Sequence, residues 1–501
     1  MKVKILFLIV SSLFIAGCSD FLNIRPEGTV PSAGLDHTKA ENIFKPLSAA
    51  YASLRDWNAH AFPYICGFEI TSDDADKGSS PGDNPEALQM DQFTYTSTNS
   101  LIGSLWTGYF NIVSSANNAI GEMPLFEAAM NAEVNKAYAR QCKAEAKVIR
   151  AYAYFNLTRA FGRVPIIDSI MTSQQLSALN QATTSALYQF IERDLKEAIP
   201  YLPGSYTKDF AGRFTKYTAM ALKAKVHMYH ASLENPVANW DSVAVLTDQI
   251  MASGQFDLLS DFRSEFSMDG ENSKESLLEI QSSSLGASTG DSYPYVEYAY
   301  DQGPRNNSPS NMQGWGFCTP SDKLIAFFNL RGETERAKAT FLYRGTKTPE
   351  GDSIKMTCTN PVYNGKVYTP SSYNKWNYNG YGFDHNIRII RYSDVLLMFA
   401  EAKVHGAMDG NTSGFSALSA INKVRERVKL PDLGVVSLQN IWDERRAEFA
   451  LEEDRFFDLI RTGQAPAVLG SKGFVAGRNE VFPIPNNQLQ LNIHLTQNPN
   501  Y

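Results

Sequence analysis

Apolar residues recur at steps of three and four positions in several stretches of the chain, which is the spacing of one face of an α-helix. The clearest stretch covers residues 139–161, where a glycine and a proline then end the pattern. Its apolar face is formed by Cys142, Ala146, Ile149, Ala153 and Leu157. Residues 187–199 form a second stretch, and residues 217–232 form a third that is rich in alanine. Each stretch predicts a helix that packs closely against its neighbours.

Two further apolar stripes lie near the C-terminus. The first consists of Val395, Leu396, Met398, Phe399 and Ala402. The second follows a glycine-containing linker and consists of Leu418, Ile421, Val424 and Val428. Two amphipathic helices joined by a short polar connection form an αα-hairpin. Hairpins with alanine at close contacts are typical of tetratricopeptide-like units, although no strict repeat of about 34 residues is present. The pattern predicts a mostly α fold.

Residues 257–386 have a different character. They are rich in glycine, proline, serine, asparagine and aromatic residues, with only short helical stretches such as 321–329. Long irregular segments in compact domains usually carry function. We therefore expect a helical scaffold at about 40–256 and 387–465, a loop-rich ligand-binding segment at about 257–386, and a C-terminal tail at 466–501.

Composition and cysteine usage narrow the function classes. The 501 residues carry a net charge of -7, so nucleic-acid binding would lack its electrostatic driving force. Five cysteines occur without any C-x-x-C spacing, which indicates neither a zinc site nor a dense disulfide framework. Cys142 is predicted to be a small core residue. Whether Cys318 and Cys358, which share the loop-rich segment, form a disulfide stays open.

The first residues of the chain predict export and a lipid anchor. Two early lysines precede an apolar run over residues 5–15, which is too short to span a bilayer as a permanent helix. Residues 15–18 (IAGC) then fit the bacterial lipobox. We expect residues 1–17 to be a lipoprotein signal peptide, Cys18 to carry the acyl chains, and the turn-rich residues 18–39 to be a spacer. The alternative is an ordinary cleaved signal that happens to contain a cysteine.

Several short motifs follow one another in a fixed order. In the second half they are residues 391–402 (RYSDVLLMFAEA), 421–427 (INKVRER), 444–450 (ERRAEFA), 454–461 (DRFFDLIR), 482–485 (FPIP) and 497–501 (QNPNY). In the first half they are residues 18–22 (CSDFL), 145–155 (EAKVIRAYAYF) and 161–165 (FGRVP). Together these motifs resemble the SusD/RagB family of Bacteroidetes. Asn500 departs from the family, which often has glycine there, and the resemblance is weakest in the aromatic segment 257–386.

The resemblance implies a fold, a location and a partner. It implies one SusD-like domain over residues 40–501, mostly α-helical with tetratricopeptide-type hairpins, without catalytic activity or a cofactor. It also implies a lipoprotein of the outer membrane that faces the exterior and acts as a lid on a SusC-type TonB-dependent transporter. Family members mostly capture oligosaccharides for import, and some of the RagB type bind peptides. The choice between glycan and peptide stays open, as do the identity, linkage and length of a glycan.

An oligosaccharide offers flat C–H faces edged by hydroxyl groups, which proteins bind with exposed aromatic rings and a few polar groups. Trp315 is the first choice for such a ring, because glycines flank it and no apolar stripe assigns it to a core. The other expected ligand contacts are Tyr293, Tyr295, Tyr298, Tyr300, Asp301, Arg305, Asn311 and Trp376. Ordinary loop packing is the alternative for each aromatic, and the alternate tyrosines fit one face of a strand equally well. Trp106 lies on a helical stripe and is predicted to be core.

Other constellations resemble catalytic or metal sites and are interpreted as structural. Surface or interhelical ion pairs are expected for Glu444, Arg445, Glu448, Glu452, Asp454, Arg455, Asp458 and Arg461. The acidic loop around Asp74 lacks the order of an EF-hand, so a structural calcium ion is unsupported. His227 and His230 share one predicted helix and are interpreted as packing residues rather than metal ligands. The least favoured alternative is a surface glycoside hydrolase that uses Asp291 and Asp301, since the sequence contains neither an H-E-x-x-H motif nor a G-x-x-x-x-G-K-[ST] phosphate loop.

Overall fold

The computed structural model describes residues 34–282, 297–307, 314–373 and 385–501, and most of these residues lie in helices. The expected mostly α fold is therefore confirmed. Residues His37–Tyr501 form one compact unit. Several residues with an expected function lie outside the described residues, namely Cys18, Asp291, Tyr293, Tyr295, Asn311 and Trp376.

The first half of the described chain contains the longest helices. The α-helices are α1 (Phe44–Ser53), α2 (Trp57–His60), α3 (Phe62–Ile65), α4 (Pro85–Asp91), α5 (Ser100–Ala129), α6 (Glu133–Phe161), α7 (Ser173–Leu176), α8 (Thr184–Ala198), α9 (Lys216–His230) and α10 (Pro236–Ala252). A π-helical turn, Cys66–Ile70, follows α3. The predicted stop after α6 is confirmed, since Gly162 lies in the positive-φ region at +69°.

The second half has shorter helices and all but one of the described strands. The α-helices are α11 (Tyr298–Gln302), α12 (Asp322–Arg331), α13 (Thr334–Thr340), α14 (Tyr392–Val404), α15 (Ala417–Arg427), α16 (Leu438–Glu448), α17 (Arg455–Arg461), α18 (Ala465–Leu469) and α19 (Asn486–Leu491). The strands are β1 (Ala75–Gly78), β2 (Ser276–Ile280), β3 (Phe317–Pro320), β4 (Phe341–Tyr343), β5 (Val362–Asn364) and β6 (Ile387–Arg391). They pair antiparallel as β1 with β3, β2 with β6 and β4 with β5.

Helices that follow one another along the chain pack together as hairpins. α5 packs on α6, α9 on α10, and α14 on α15, the last pair being the hairpin that the two C-terminal stripes predict. Ala219, Ala221 and Ala224 on α9 are fully buried, which lets the neighbouring helices approach closely. Trp106 on α5 is also buried and belongs to the core, as predicted. These hairpins form a helical scaffold within the described residues.

The charged residues of the C-terminal motifs form ion pairs between helices, in the interior rather than at the surface. Arg336 on α13 is fully buried and contacts Glu444 at 2.5 Å and Glu448 at 2.9 Å, both on α16. Arg445 on α16 contacts Asp458 on α17 at 2.9 Å. Burial favours the neutral form of Glu448, but the surrounding arginines outweigh it and hold the pKa of Glu448 well below its usual range. The interhelical interpretation is confirmed for Glu444, Glu448, Arg445 and Asp458. Glu452 instead pairs with Arg391 on β6, and Arg455 pairs with Asp73 in the loop before β1.

The acidic loop before β1 is held by arginines from the C-terminal region. Arg455 Nε donates to Asp73 Oδ1 at 2.8 Å, and Arg446 Nε donates to Asp74 Oδ1 at 2.8 Å. Asp73 and Asp74 are almost fully buried, and the two guanidinium groups supply the opposite charge that buried carboxylates need. Within the described ranges, no group of three or more acidic, histidine or cysteine side chains has a metal-binding arrangement.

The two histidines of α9 pack within the scaffold, as predicted. His227 Nδ1 lies 2.8 Å from Asn239 Oδ1, and His230 Nδ1 lies 2.8 Å from Glu192 Oε1. The His230 ring stacks on Tyr188 with 4.6 Å between centroids. Their contacts therefore join α9 to α8 and α10.

The cysteines of the described chain are buried free thiols: Cys66, Cys142, Cys318 and Cys358. Cys142 is a small core residue on α6, as predicted. Cys318 lies on β3, whereas Cys358 packs in a separate apolar cluster with Leu342, Ile354 and Tyr363, so the two are not joined by a disulfide.

Over the same described ranges, no helix combines the length and apolarity that a membrane crossing requires.

Candidate functional site

Trp315 presents a partly open aromatic ring, as expected of a ligand platform. It is 39% exposed and is held by its backbone N–H, which donates to the Tyr300 carbonyl oxygen at 2.9 Å. The Tyr300 ring meets it edge-on at a centroid distance of 6.0 Å. The Arg305 guanidinium lies over the indole at 5.6 Å from the ring centroid, within cation–π range. The ring is therefore fixed in position while part of it faces solvent.

The glycines on either side of Trp315 permit this position. A Cβ on Gly314 would overlap the Tyr300 carbonyl oxygen and the backbone of Gly303. Gly316 has φ +74° and accepts a backbone hydrogen bond from Ser79 at the end of β1. Since β3 begins directly afterwards, the β1–β3 pair fixes the backbone that carries the indole.

Polar groups lie beside the ring. Arg305 Nη1 donates to Ser79 Oγ at 2.7 Å and forms an ion pair with Asp83. A hydrogen bond from the Ser79 hydroxyl, with the Arg305 charge nearby, lowers the pKa of Asp83. An ionised carboxylate and a guanidinium next to an aromatic ring supply the acceptor and donors that sugar hydroxyls require.

Three of the expected ligand contacts lie in the interior instead. Tyr298 is 4% exposed, Tyr300 is 7% exposed and Asp301 is 4% exposed. Of the alternate tyrosines, Tyr298 and Tyr300 belong to the single helical turn α11 rather than to a strand, and the turn packs beneath Trp315. Tyr298 Oη donates to Glu453 Oε1 at 2.7 Å. Because these three side chains are buried, the expectation that they face a ligand is wrong.

Burial of Asp301 argues against a glycoside hydrolase that uses this residue. Its carboxylate is enclosed, and burial, with the charge of Glu297 nearby, raises its pKa well above the usual range. A glycoside hydrolase needs two carboxyl groups that reach the scissile bond from opposite sides. Asp301 does not reach solvent in this arrangement and so is not available to a sugar bond.

A second exposed indole, Trp57, was not among the residues expected from the sequence. Trp57 is 40% exposed at the start of α2, and its Nε1–H donates to Glu297 Oε2 at 3.1 Å. Asp56 caps the helix by accepting from Asn58 N at 2.9 Å. The available signal was a tryptophan directly after an N-cap aspartate and outside any apolar stripe. Its partner Glu297 is distant in sequence, so no local sequence pattern could predict this hydrogen bond.

A large cavity lies elsewhere and has a different chemistry. It has a volume of about 870 Å³ and is bounded by α5, by residues 165–179 and by residues 488–495. Its walls include Ile167, Met171, Leu179 and Leu495, and none of its lining side chains is charged. Nearly half of the lining residues carry hydroxyl or amide groups and two carry aromatic rings, so the groove offers contacts for polar as well as apolar groups.

Comparison with known proteins places this arrangement in a family. A family model described as "SusD family" matches residues 274–479, and a second, described as "Starch-binding associating with outer membrane", matches residues 61–228. The chain belongs to the SusD/RagB family. The two matched ranges include Trp315, Arg305 and Glu297, whereas Trp57 precedes the first matched residue.

Relatives and solved structures agree with the SusD assignment. The chain is 28% identical to a SusD-like protein of Bacteroides ovatus over 477 residues, which covers 92% of this chain and 82% of that protein. It is similar to the structure of a laminarin-binding SusD-like protein, with 26% identity, a TM-score of 0.77 and coverage of 92% and 99% of the two chains. It is also similar to surface glycan-binding protein A from Bacteroides thetaiotaomicron in complex with laminarihexaose, with 25% identity, a TM-score of 0.75 and coverage of 91% and 99%.

Proposed function

We propose that this protein is a non-catalytic glycan-binding lipoprotein that captures oligosaccharides and delivers them to a SusC-type TonB-dependent transporter. The observation that carries the proposal is the partly exposed Trp315 indole, held between the α11 turn and Arg305. A fixed aromatic face with a guanidinium and a carboxylate beside it suits neutral sugars. The names of the similar solved structures, which refer to laminarin and laminarihexaose, support glycan over peptide as the cargo.

The proposal includes a lipid anchor at Cys18 in the outer membrane, with the protein facing the cell exterior. Each buried CH₂ of an acyl chain contributes about 0.8 kcal/mol, so several chains hold a protein at the bilayer essentially permanently. The family description "Starch-binding associating with outer membrane" supports this location. The turn-rich residues 18–39 would then let the binding domain move relative to the transporter.

Incubation of the purified protein with labelled oligosaccharides tests the binding function. Laminarihexaose and maltohexaose serve as probes, and a mixture of oligopeptides serves as the competing cargo. Retention of an intact hexasaccharide supports the proposal. Cleavage of the sugar contradicts the non-catalytic assignment, and retention of peptides alone moves the assignment to a RagB-type peptide-binding protein.

Trp315→Ala tests the ring itself. Removal of one aromatic platform costs about 1 kcal/mol, so we expect the affinity for the retained hexasaccharide to fall about fivefold with the melting temperature unchanged. Tyr201→Ala removes an exposed ring from the helical scaffold and is the matched control, since Tyr201 is 54% exposed. Isothermal titration calorimetry and thermal unfolding measure the two quantities. Unchanged affinity, or an equal loss in the control, contradicts the assignment of Trp315.

The delivery step has its own test. The lipidated protein, purified from outer membranes in mild detergent, is expected to bring a TonB-dependent barrel with it, identified by mass spectrometry. Cys18→Ser is the control, because serine offers no thiol for the acyl chains. Glycan binding without such a barrel would leave the capture function intact and remove the transporter from the proposal.

A further inference from the structure

Four basic residues form a stripe along the first half of α6, at steps of four, three and four positions, which is the spacing of one helix face. They are Lys136, Arg140, Lys143 and Lys147. Arg140 pairs with Glu127 and Glu133. Lys147 pairs with Glu197 on α8. The other two cations form no ion pair within the described ranges, so the stripe keeps positive charge that its neighbours do not neutralise.

The positive surface continues from α6 onto α8. Glu197 accepts a hydrogen bond from Lys147, which lowers the pKa of Glu197, and the charges of Arg193 and Lys143 lower it further. One carboxylate is thus surrounded by cations from both helices. Arg193 and the exposed Lys196, three positions apart on α8, form no ion pair among the described residues. We call the α6 stripe together with these two residues of α8 the basic face.

Exposed apolar groups lie beside the basic face. Tyr201, which follows α8, shares a surface depression with Val134 and Tyr138 of α6. The Arg213 guanidinium lies 5.6 Å from the Tyr138 ring centroid and 5.7 Å from that of Phe210, so Phe210 belongs to the same region. Val134, Tyr201 and Phe210 are each 50% or more exposed. Exposed rings beside unpaired cations are typical of a surface that meets a membrane interface.

We propose that the basic face docks on an anionic lipid surface, where its cations contact phosphate-bearing headgroups and the rings of Tyr201 and Phe210 enter the interface. The inference rests on the membrane location given in the proposed function and adds a second contact besides the acyl chains. The whole chain carries a net charge of -7, so the attraction comes from this face and not from the protein as a whole.

The residue types favour lipid over an acidic protein as the partner. Most cations of the basic face are lysines, whose compact charge needs no fixed partner geometry and so suits mobile headgroups. The planar fork of arginine is better suited to a carboxylate that is held in place. Lysine is also depleted in protein–protein interfaces, where arginine is enriched.

Vesicle binding tests the proposal without the acyl chains. A protein that begins at Gly34 retains the whole compact unit His37–Tyr501. It is sedimented with vesicles of phosphatidylcholine alone and with vesicles of phosphatidylcholine and phosphatidylglycerol in equal parts. We expect binding to the mixed vesicles at low salt, and little binding to the neutral vesicles or at high salt. Equal binding to both kinds of vesicle overturns the proposal.

Charge removal within the face tests its location. Lys143→Gln and Lys196→Gln are each expected to weaken binding to the mixed vesicles about fivefold, and the double variant about twenty-fivefold, with the melting temperature unchanged. The double variant Lys347→Gln/Lys355→Gln is the matched control, since it removes two exposed lysines outside the face. It is expected to bind like the wild type. Equal losses in the two double variants, or no loss in either, overturn the basic face as the docking surface.

Two further measurements separate this inference from the alternatives. If the wild type ignores the mixed vesicles and Lys143→Gln/Lys196→Gln in the full lipidated chain loses the co-purified barrel, the face binds an acidic protein and the lipid proposal is overturned. Full hexasaccharide affinity together with weak vesicle binding in this double variant supports a docking role that is separate from glycan capture. Absence of oligosaccharide binding by the wild type overturns the proposed function, whereas the vesicle result alone decides the docking surface.

Discussion

Two acidic side chains, Glu69 and Glu453, lie in the interior next to the turn α11, against which the exposed indoles pack. Glu453 N donates to Glu69 Oε2 at 2.7 Å, while Glu453 Oε1 accepts from Tyr298 on α11. Burial, with the charge of Asp74 adding to it, raises the pKa of Glu69 to about 8. Burial and the neighbouring Glu69 raise the pKa of Glu453 well above its usual range. Both carboxyl groups therefore favour the protonated form at neutral pH.

This arrangement predicts a pH-dependent stability. Between the usual pKa of a glutamate and about 8, the folded state holds a proton on Glu69 that the unfolded state has lost, so stability falls as pH rises. The slope from this one group is up to about 1.4 kcal/mol per pH unit. We expect Glu69→Gln to lose less stability than the wild type between pH 5 and pH 8. Urea denaturation at several pH values measures the difference.

The control for that experiment is Glu41→Gln, because Glu41 is exposed and the substitution changes one charge at the surface. It is expected to keep the wild-type dependence. A Glu69→Gln variant whose free energy of unfolding follows the wild-type curve over this range would show that Glu69 is not protonated in the folded protein.

At the scale of elements, α11 is the short turn on which both exposed indoles depend. Its five residues are all buried, and the N–H of Trp315 donates to its Tyr300 carbonyl. Gly303 and Gly314 bring the two backbone segments within van der Waals contact behind the ring. The position of Trp315 therefore depends on the absence of a side chain at Gly314.

Gly314→Ala is expected to disturb this packing. The added Cβ would overlap the backbone of α11, so the turn and the Trp315 ring must shift. We expect lower hexasaccharide affinity together with a lower melting temperature, in contrast to Trp315→Ala. Gly121→Ala on α5 is the matched control, since open space surrounds that position and alanine favours a helix by about 0.5–1 kcal/mol. Wild-type affinity and stability in Gly314→Ala would exclude the close contact.

Sequence periodicity predicted the scaffold better than the binding surface. The helix predicted over 139–161 begins earlier, at Glu133, because its first turns are mostly exposed and carry no apolar stripe. The tyrosines of α11 alternate like a strand, yet buried contacts with Glu453 and β3 decide their conformation. Trp315 could be predicted as an exposed ring because glycines flank it, and this signal lies within three adjacent residues. Trp57 depends on Glu297, which is 240 residues away, so no local pattern contains that pairing.

At the scale of the whole molecule, buried ion pairs connect the loop-rich segment to the C-terminal helices. Arg336 on α13 lies among Glu333, Glu444 and Glu448 with no exposed surface. Charges in such an interior are stabilised only by one another, so removing one partner leaves the others uncompensated. These ion pairs therefore affect the stability of the whole fold more than their small number of atoms suggests.

Arg336→Met tests this point. Loss of the guanidinium leaves buried carboxylates without their partner, and we expect the free energy of unfolding to fall by about 3–5 kcal/mol. Arg140→Met removes a guanidinium that pairs with the partly exposed Glu127 and Glu133, and it is expected to cost far less, because solvent screens that pair. Guanidinium chloride denaturation compares the two variants. Similar losses in both would contradict a special role for the buried pairs.

The contacts of Asp73 with Arg455 and of Asp74 with Arg446 join residues that are 382 and 372 positions apart. During synthesis, the N-terminal region therefore waits for nearly the whole chain before its buried acids are neutralised. Contacts between such distant residues form late and slow the closure of a native core. A polypeptide that crosses a membrane unfolded benefits from this order of events, because an incomplete chain has no finished core that would block its passage.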